Sequence, residues 1–244
     1  MVHMRNYPHV LLLPIGMFII IGLSNCTAPT GLHGSGAGAV QIEWVDSVQF
    51  DGIRYLAQGM YGASEANSIK DENLGAVFST VKFKVSGNVS DPGYQMKDGD
   101  ATFLDVGTEM YVVKGYQSWF RLAAHSRGTI ILYEVNWNPK AKRGANLLDV
   151  DGKVHSISVN SEQDGVTELA VIKDHQEIAT LIMMIDNAPV STQHSSRRAK
   201  YFLALHLIDG TTYTRQYWTD PDNLFGNLTM PKTFQTAIER AVHL

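Results

Sequence analysis

The 244-residue sequence predicts an α+β fold: a β-rich N-terminal half built as a small barrel or sandwich, then a C-terminal half in the order ββαββα. Three observations carry this. Short runs in the first half alternate apolar and polar residues, turn dipeptides separate those runs, and two stretches of the second half place apolar residues at helical spacing.

In Val81-Lys82-Phe83-Lys84-Val85 the alternation is strict, the period of a strand with one buried face. Similar runs occupy Ile53 to Leu56, Glu109 to Val113, Phe120 to Ala124 and Thr129 to Val135. Between them stand Asp51-Gly52, Asp91-Pro92-Gly93, Asp98-Gly99, Lys114-Gly115 and Arg127-Gly128. Residues 136–146 (NWNPKAKRGAN), polar and containing Pro and Gly, form the seam between a β-rich domain (41–146) and an α+β domain (147–244).

The second half opens with a hairpin, Lys153 to Val159 and Val166 to Ile172, around Asp164-Gly165. A helix follows. Asp174 and Glu177 have capping-box spacing, and Ile178, Leu181, Ile182 and Ile185 recur at i, i+3, i+4, i+7 before Pro189 stops the run. Met183 and Met184 read as core filler. The next hairpin turns at Asp209-Gly210, taken as a two-residue type I′ loop, which pairs His206 with Tyr213, Ala204 with Arg215 and Phe202 with Tyr217. Both faces of residues 201–208 are apolar, so that strand is interior to its sheet. A last helix starts at Pro231 and buries Phe234, Ala237, Ile238 and Ala241.

The N-terminus is set apart. Arg5 is the only fully charged side chain before Glu43, and Val10 to Leu23 is apolar for 14 residues. As a helix that run spans about 21 Å, short of a hydrocarbon core of about 30 Å but within the range of a signal-peptide core. Residues 1–25 therefore read as a signal peptide. Residues 27–40 (TAPTGLHGSGAGAV) are uncharged and rich in small residues, so 26–40 reads as a flexible tether with a reach of about 20 Å.

Composition and charge exclude several classes. With 44% hydrophobic and 18% charged residues the chain is neither a disordered tail nor a basic nucleic-acid binder, and one cysteine excludes a disulfide scaffold. Without residues 1–25 it carries 19 basic and 24 acidic groups, a net charge of −5 that disfavours nucleic acid and anionic lipid surfaces. The basic clusters Lys140, Lys142, Arg143 and Arg197, Arg198, Lys200 read as solvated loops, with a polyanionic wall polymer as the alternative partner.

The spacing of chemistry-bearing residues nominates no catalytic residue, cofactor or metal. His175-Gln176-Glu177 lacks a second histidine at i+4, and no nucleophile elbow or phosphate loop is present. Asp149-Val150-Asp151-Gly152 and Asp220-Pro221-Asp222-Asn223 read as Asx-stabilised turns rather than calcium loops. His206 reads as a hydrogen-bonded structural histidine, and Tyr111, Tyr116, Trp119, Phe120 and Tyr133 as core packing before a sugar or partner surface.

Leu23-Ser24-Asn25-Cys26 resembles the bacterial lipobox, with Asn25 where Gly, Ala or Ser is usual. That resemblance implies that Cys26 becomes the mature N-terminus and carries thioether-linked diacylglycerol, usually with an acylated amine. The alternatives are a buried cysteine of an uncleaved membrane helix or a free thiol. Asp98 to Ala124 (DGDATFLDVGTEMYVVKGYQSWFRLAA), with Leu147 to Val154, resembles uncharacterised lipoproteins of bacilli and related Gram-positive bacteria over about a third of the chain. It implies the outer face of the cell membrane and brings no catalytic residues. The expected protein is thus a lipid-anchored, non-enzymatic binding or structural module with a protein or cell-wall partner. An envelope hydrolase with a carboxylate or Tyr/His site, and a regulator of a neighbouring membrane protein, are the alternatives.

Overall fold

The computed structural model of the chain describes residues 43–58 and 69–243. The expected signal peptide (1–25), the tether (26–40) and Cys26 lie outside the described residues. Among the described residues no helix is long and apolar enough to cross a membrane.

Eight strands of the first half form one sheet: β1 (Ser47–Phe50), β2 (Ile53–Ala57), β3 (Leu74–Thr80), β4 (Phe83–Lys84), β5 (Asp100–Ala101), β6 (Glu109–Val113), β7 (Arg121–Ser126) and β8 (Thr129–Trp137). Their order is β3-β6-β7-β8-β2-β1-β5-β4, antiparallel except for the β4–β5 pair. Two turns are built as the dipeptides predict. Asp51-Gly52 joins Phe50 to its partner Ile53, and Arg127-Gly128 joins Ser126 to Thr129, with φ of 54° and 76° in the first and 51° and 80° in the second. Two consecutive positive φ values are the signature of a type I′ turn, whose twist matches that of the strands it joins.

The sheet is curled. In a flat sheet β1 and β3, five strand positions apart, would be separated by about 24 Å. Instead the Phe50 and Phe78 rings meet edge-on with centroids 6.2 Å apart. Only Val81 and Lys82 separate β3 from β4 at the opposite edge of the sheet, a link that spans at most about 11 Å. This link explains why the strand expected over Val81 to Val85 shrinks to Phe83–Lys84: Val81 donates to the Thr108 carbonyl and Lys82 to that of Gly99 as the chain crosses between edges. Val81 and Val85 are nonetheless buried, on the face that the alternation assigns them.

The second half forms a six-stranded antiparallel sheet in the order β10-β9-β11-β12-β13-β14. Its elements are β9 (Val154–Ser161), β10 (Glu168–Ile172), α1 (His175–Asn187), β11 (Tyr201–Leu207), β12 (Thr212–Trp218), β13 (Leu224–Phe225), β14 (Leu228–Thr229) and α2 (Lys232–Val242). The protein is therefore mostly β with two helices, a loose α+β fold. The expected order ββαββα is interrupted by the short β13–β14 hairpin before the last helix. As expected, β11 is interior, hydrogen-bonded to β9 and β12.

Helix α1 follows its pattern closely. The Asp174 carboxylate accepts from the Glu177 backbone N–H at 2.8 Å, and Ile178, Leu181, Ile182 and Ile185 are buried. Glu177 turns outward to Arg240 of α2, 2.5 Å away, and does not close the capping box. Met183, expected as core filler, is exposed, and Met184 is half-buried. In α2, Phe234 and Ile238 are buried as predicted, with Phe234 packed edge-on against Tyr217 at 5.4 Å; Ala237 and Ala241 are half-buried.

The β11–β12 hairpin departs from its predicted register by one residue. His206 faces Thr212, Ala204 faces Thr214 and Phe202 faces Gln216. The loop is Ile208-Asp209-Gly210, closed by Leu207 N–H to Thr211 O (2.8 Å) and Gly210 N–H to Leu207 O (3.0 Å), with Gly210 at φ 83°. Three-residue hairpin loops of this kind place one glycine in the left-handed region after a type I turn. Asp209 enforces the choice by accepting from both the Thr211 N–H (2.9 Å) and its hydroxyl (2.7 Å). The consequence is large, because a one-residue slip exchanges the faces of a strand. Tyr213, Arg215 and Tyr217 share a face with Leu205, Leu203 and Tyr201, where Tyr213 meets Phe120 of the first sheet at 5.5 Å and Tyr217 meets α2.

That face carries a buried charge network. Arg121 of β7, 0% exposed, is bonded to its cross-strand partner Glu134 of β8 at 2.6 Å and to the Thr211 hydroxyl at 2.7 Å. Asp209 stands 3.6 Å from Arg121, and Arg215 stands 3.6 Å from Glu134. Arg215 also donates to the Val135 carbonyl at 3.0 Å. The Arg121 guanidinium lies 4.8 Å and 4.9 Å from the Tyr116 and Phe120 ring centres. Around this network a single apolar cluster runs from Val48 and Tyr55 through Phe120 and Tyr133 to Leu205, Tyr217 and Ile238.

Arg121→Met leaves Glu134 with one cation fewer in a dry site and costs about 3–5 kcal/mol in urea denaturation, whereas Arg121→Met/Glu134→Leu/Arg215→Met regains most of that loss. Gly144, in a single helical turn (Gly144–Asn146), donates to the Ala188 carbonyl at 2.8 Å, and a Cβ there would collide with the Ile185 carbonyl. Gly144→Ala therefore lowers stability by about 1–3 kcal/mol, read from the same denaturation midpoint.

Candidate functional site

Three polar constellations stand out beside the charge network. The first lies on the opposite face of the second sheet. Ser158 donates to Glu168 at 2.8 Å and stands 2.8 Å from His206 Nε2, while His206 Nδ1 is 3.1 Å from the Thr212 hydroxyl. The Ser158 hydroxyl hydrogen is committed to the carboxylate, so His206 donates from Nε2 and Nδ1 accepts from Thr212. A nucleophile–base pair needs the reverse, a lone pair on the ring aimed at the hydroxyl hydrogen. Ser158 is moreover 2% exposed. The four residues tie β9, β10, β11 and β12 together, and His206 is a structural histidine bonded to Ser158 and Thr212 rather than paired with Tyr213. Burial and then the neighbouring His155 lower its pKa, and the Glu168 charge opposes them to a smaller extent.

The second consists of the acidic turns. Asp149 is held by the Gln117 N–H at 2.8 Å and by the Lys153 ammonium. Asp220 pairs with Lys232 and accepts from the Asn223 amide at 2.6 Å, and Asp222 accepts from Ser195 at 2.7 Å. These carboxylates are engaged by donors, Lys153 and Asn223 from nearby in the chain and Gln117, Ser195 and Lys232 from other segments, so they tie segments together rather than only stabilising their own turns. Among the described residues no three His, Cys, Asp or Glu side chains are grouped to hold a metal ion.

The third is an open cleft of about 470 Å³ at one end of the curled sheet. Asp51 and Tyr55 enter it from β1–β2, Phe78 from β3, and Ser118 and Trp119 from the link between β6 and β7. Asn138, Lys140, Lys142 and Asn146 enter from the segment after β8. Tyr55, Phe78 and Trp119 form an aromatic wall. The Tyr55 hydroxyl donates to the Ser118 carbonyl at 3.0 Å, and its pKa is raised by burial first and then by the Asp51 charge, so the phenol stays neutral. Asn138, 6% exposed, fixes the rim: its side chain accepts from the Lys140 N–H at 3.0 Å and donates to the Asn146 carbonyl at 3.4 Å. The rim is tied from behind to the end of α1, because Val190 donates to the Lys142 carbonyl at 3.0 Å. The Lys140 and Lys142 side chains are exposed.

Of the aromatic group singled out in the sequence, Phe120 and Tyr133 are core residues, Tyr111, Tyr116 and Trp119 are half-buried, and Trp119 reaches the cleft. Lys140 and Lys142 come from the segment expected as a solvated loop. Phe78, Tyr55 and Asn138 carry no local signal of a site, since the pairing of β2 with β8 brings Tyr55 near Asn138 and the curl of the sheet brings Phe78 to them. No protein family, curated protein or solved structure matches the chain.

The lowered pKa of His206 fixes a sign. Its neutral form is the one the fold accommodates, so its contribution is complete above the ordinary histidine value of about 6.5 and is lost as the pH falls from there through the lowered folded value. Thermal melting at pH 7 and pH 5 checks this: His206→Gln narrows the drop in Tm between the two, and an unaltered drop contradicts the assignment.

Proposed function

We propose that this chain is a lipid-anchored, extracytoplasmic bacterial lipoprotein whose folded part is a non-enzymatic binding module at the cell surface. The address rests on the sequence: an apolar run of signal-peptide length, then Leu23-Ser24-Asn25-Cys26, and a resemblance to lipoproteins of bacilli and related bacteria. Cys26 is the point of attachment, since two or three acyl chains retain a protein on a bilayer far more firmly than one.

The single observation that supports binding is the cleft beside the curled sheet, lined by aromatic side chains, a buried asparagine that holds its rim and two exposed lysines. Ligand sites have this composition: apolar and aromatic area for affinity, a few placed polar groups for orientation.

Two measurements test the reading. Intact mass of the membrane-extracted protein is expected to show a species beginning at residue 26 with added acyl mass, absent in Cys26→Ala; an unmodified chain contradicts the anchor. A photoreactive benzophenone side chain at position 142 is expected to label a surface component on intact cells, and the same group at Ile208, which is exposed and outside the cleft, is not. Equal labelling from both positions contradicts the binding module.

A further inference from the structure

We infer that the cleft takes an acidic sugar, a saccharide ring bearing a phosphate or carboxylate, with the ring against Trp119 and Phe78 and the anion on Lys140 and Lys142. This rests on the binding-module reading above and names its ligand. Size is the first argument. A volume of about 470 Å³ lies in the lower part of the range of small-molecule sites, room for one or two sugar rings.

The lining is the second argument. A ligand lacking polar groups would displace water from the Ser118 hydroxyl and the Asn146 amide without replacing its hydrogen bonds, at a cost in affinity. Hydroxyl-rich rings match such groups, because each hydroxyl both donates and accepts, while the apolar C–H face of a pyranose suits an aromatic wall. The Asp51 carboxylate at the edge of the cleft suits a donating hydroxyl as well.

Charge is the third. The chain as a whole is acidic, 24 carboxylates against 20 basic side chains, yet the cleft is lined by two lysines and one aspartate. Neither Lys140 nor Lys142 forms an ion pair among the described residues, whereas Lys84, Lys153 and Lys232 each do. The two are also presented together, since the Asn138 side chain holds the Lys140 backbone and Val190 holds that of Lys142. A compact anion bound there gains charge-assisted hydrogen bonds from ammonium groups whose backbone positions are already set.

The test titrates full-length protein in detergent micelles with glucose 6-phosphate, glucuronate, glucose and inorganic phosphate, following binding by calorimetry. Either acidic sugar is expected to bind about tenfold or more tightly than glucose and than phosphate, the scale of one charge-assisted contact or one ring contact. Lys140→Ala/Lys142→Ala is expected to reduce that affinity about tenfold and to abolish its dependence on salt between 50 and 500 mM, on the order of one to two lost ion contacts. Trp119→Ala is expected to reduce binding of the acidic sugar and leave phosphate unaffected. Because Trp119 also packs against the core, its melting curve is recorded alongside, and the surface variant Lys142→Glu gives an independent reading.

Acidic-sugar affinity equal to that of phosphate, or indifferent to both lysine variants, overturns the inference. Failure of all four probes while the group at position 142 still labels a surface component overturns the acidic sugar and leaves the binding module standing. Silence in both experiments overturns both.

Discussion

A cluster of four charges, with Arg121 and Glu134 buried at its centre and Arg215 and Asp209 nearer the solvent, holds this molecule in one arrangement. Arg121 and Glu134 face each other across β7 and β8, and Arg215 and Asp209 approach them from the β11–β12 hairpin, so that two cations and two anions balance. Removing such groups from water costs several kcal/mol each, recovered only where geometry supplies every partner. Within the first sheet Arg121 has Glu134 alone. The Thr211 hydroxyl and the Asp209 carboxylate come from the second sheet, and Arg215 in turn uses Glu134 and the Val135 carbonyl of the first. Each sheet thus supplies partners to a charge that the other buries, and the aromatic rings of Tyr116, Phe120 and Tyr213 fill the space around the two guanidinium groups.

That arrangement has a bearing on the cleft. The segment from Asn138 to Asn146 leaves β8 directly after the network and is pinned against the C-terminal end of α1 through Gly144 and Lys142. A rim built from a free loop would lose affinity to the ordering of its lysines on binding. Here the backbone is already held by Ala188, Val190 and the Asn138 side chain, so only the lysine side chains retain freedom. The opposite wall is equally fixed, with Tyr55 fully buried and bonded to Ser118.

Local chemistry was readable where it acts within a few residues. Asp174 with the Ile178, Leu181, Ile182, Ile185 stripe marked the N-cap and buried face of α1, though not the outward Glu177 or the exposed Met183, and Asp51-Gly52 marked a turn. The same dipeptide misled at Asp209-Gly210. There the Asp209 side chain gains two hydrogen bonds from Thr211 and sits 3.6 Å from Arg121, and the resulting three-residue loop turns Tyr213, Arg215 and Tyr217 to the core. Strand β3 was missed for a related reason: its neighbour is β6, some thirty residues later, and its register with that strand shifts twice, so no period-2 alternation marks it.

The sequence by itself determined the two helices, the positions of most turns, the interior place of β11 and the expectation of a lipid-anchored surface protein, because each depends on near neighbours in the chain or on overall composition. Only the tertiary structure decided the curl that brings β3 against β1, the β11–β12 register and the convergence of Tyr55, Phe78, Trp119, Asn138, Lys140 and Lys142 on one cleft. Those features join residues up to 87 positions apart in the chain, from Tyr55 to Lys142. Their energies come from burial and charge pairing between segments, quantities that no local pattern of residues encodes.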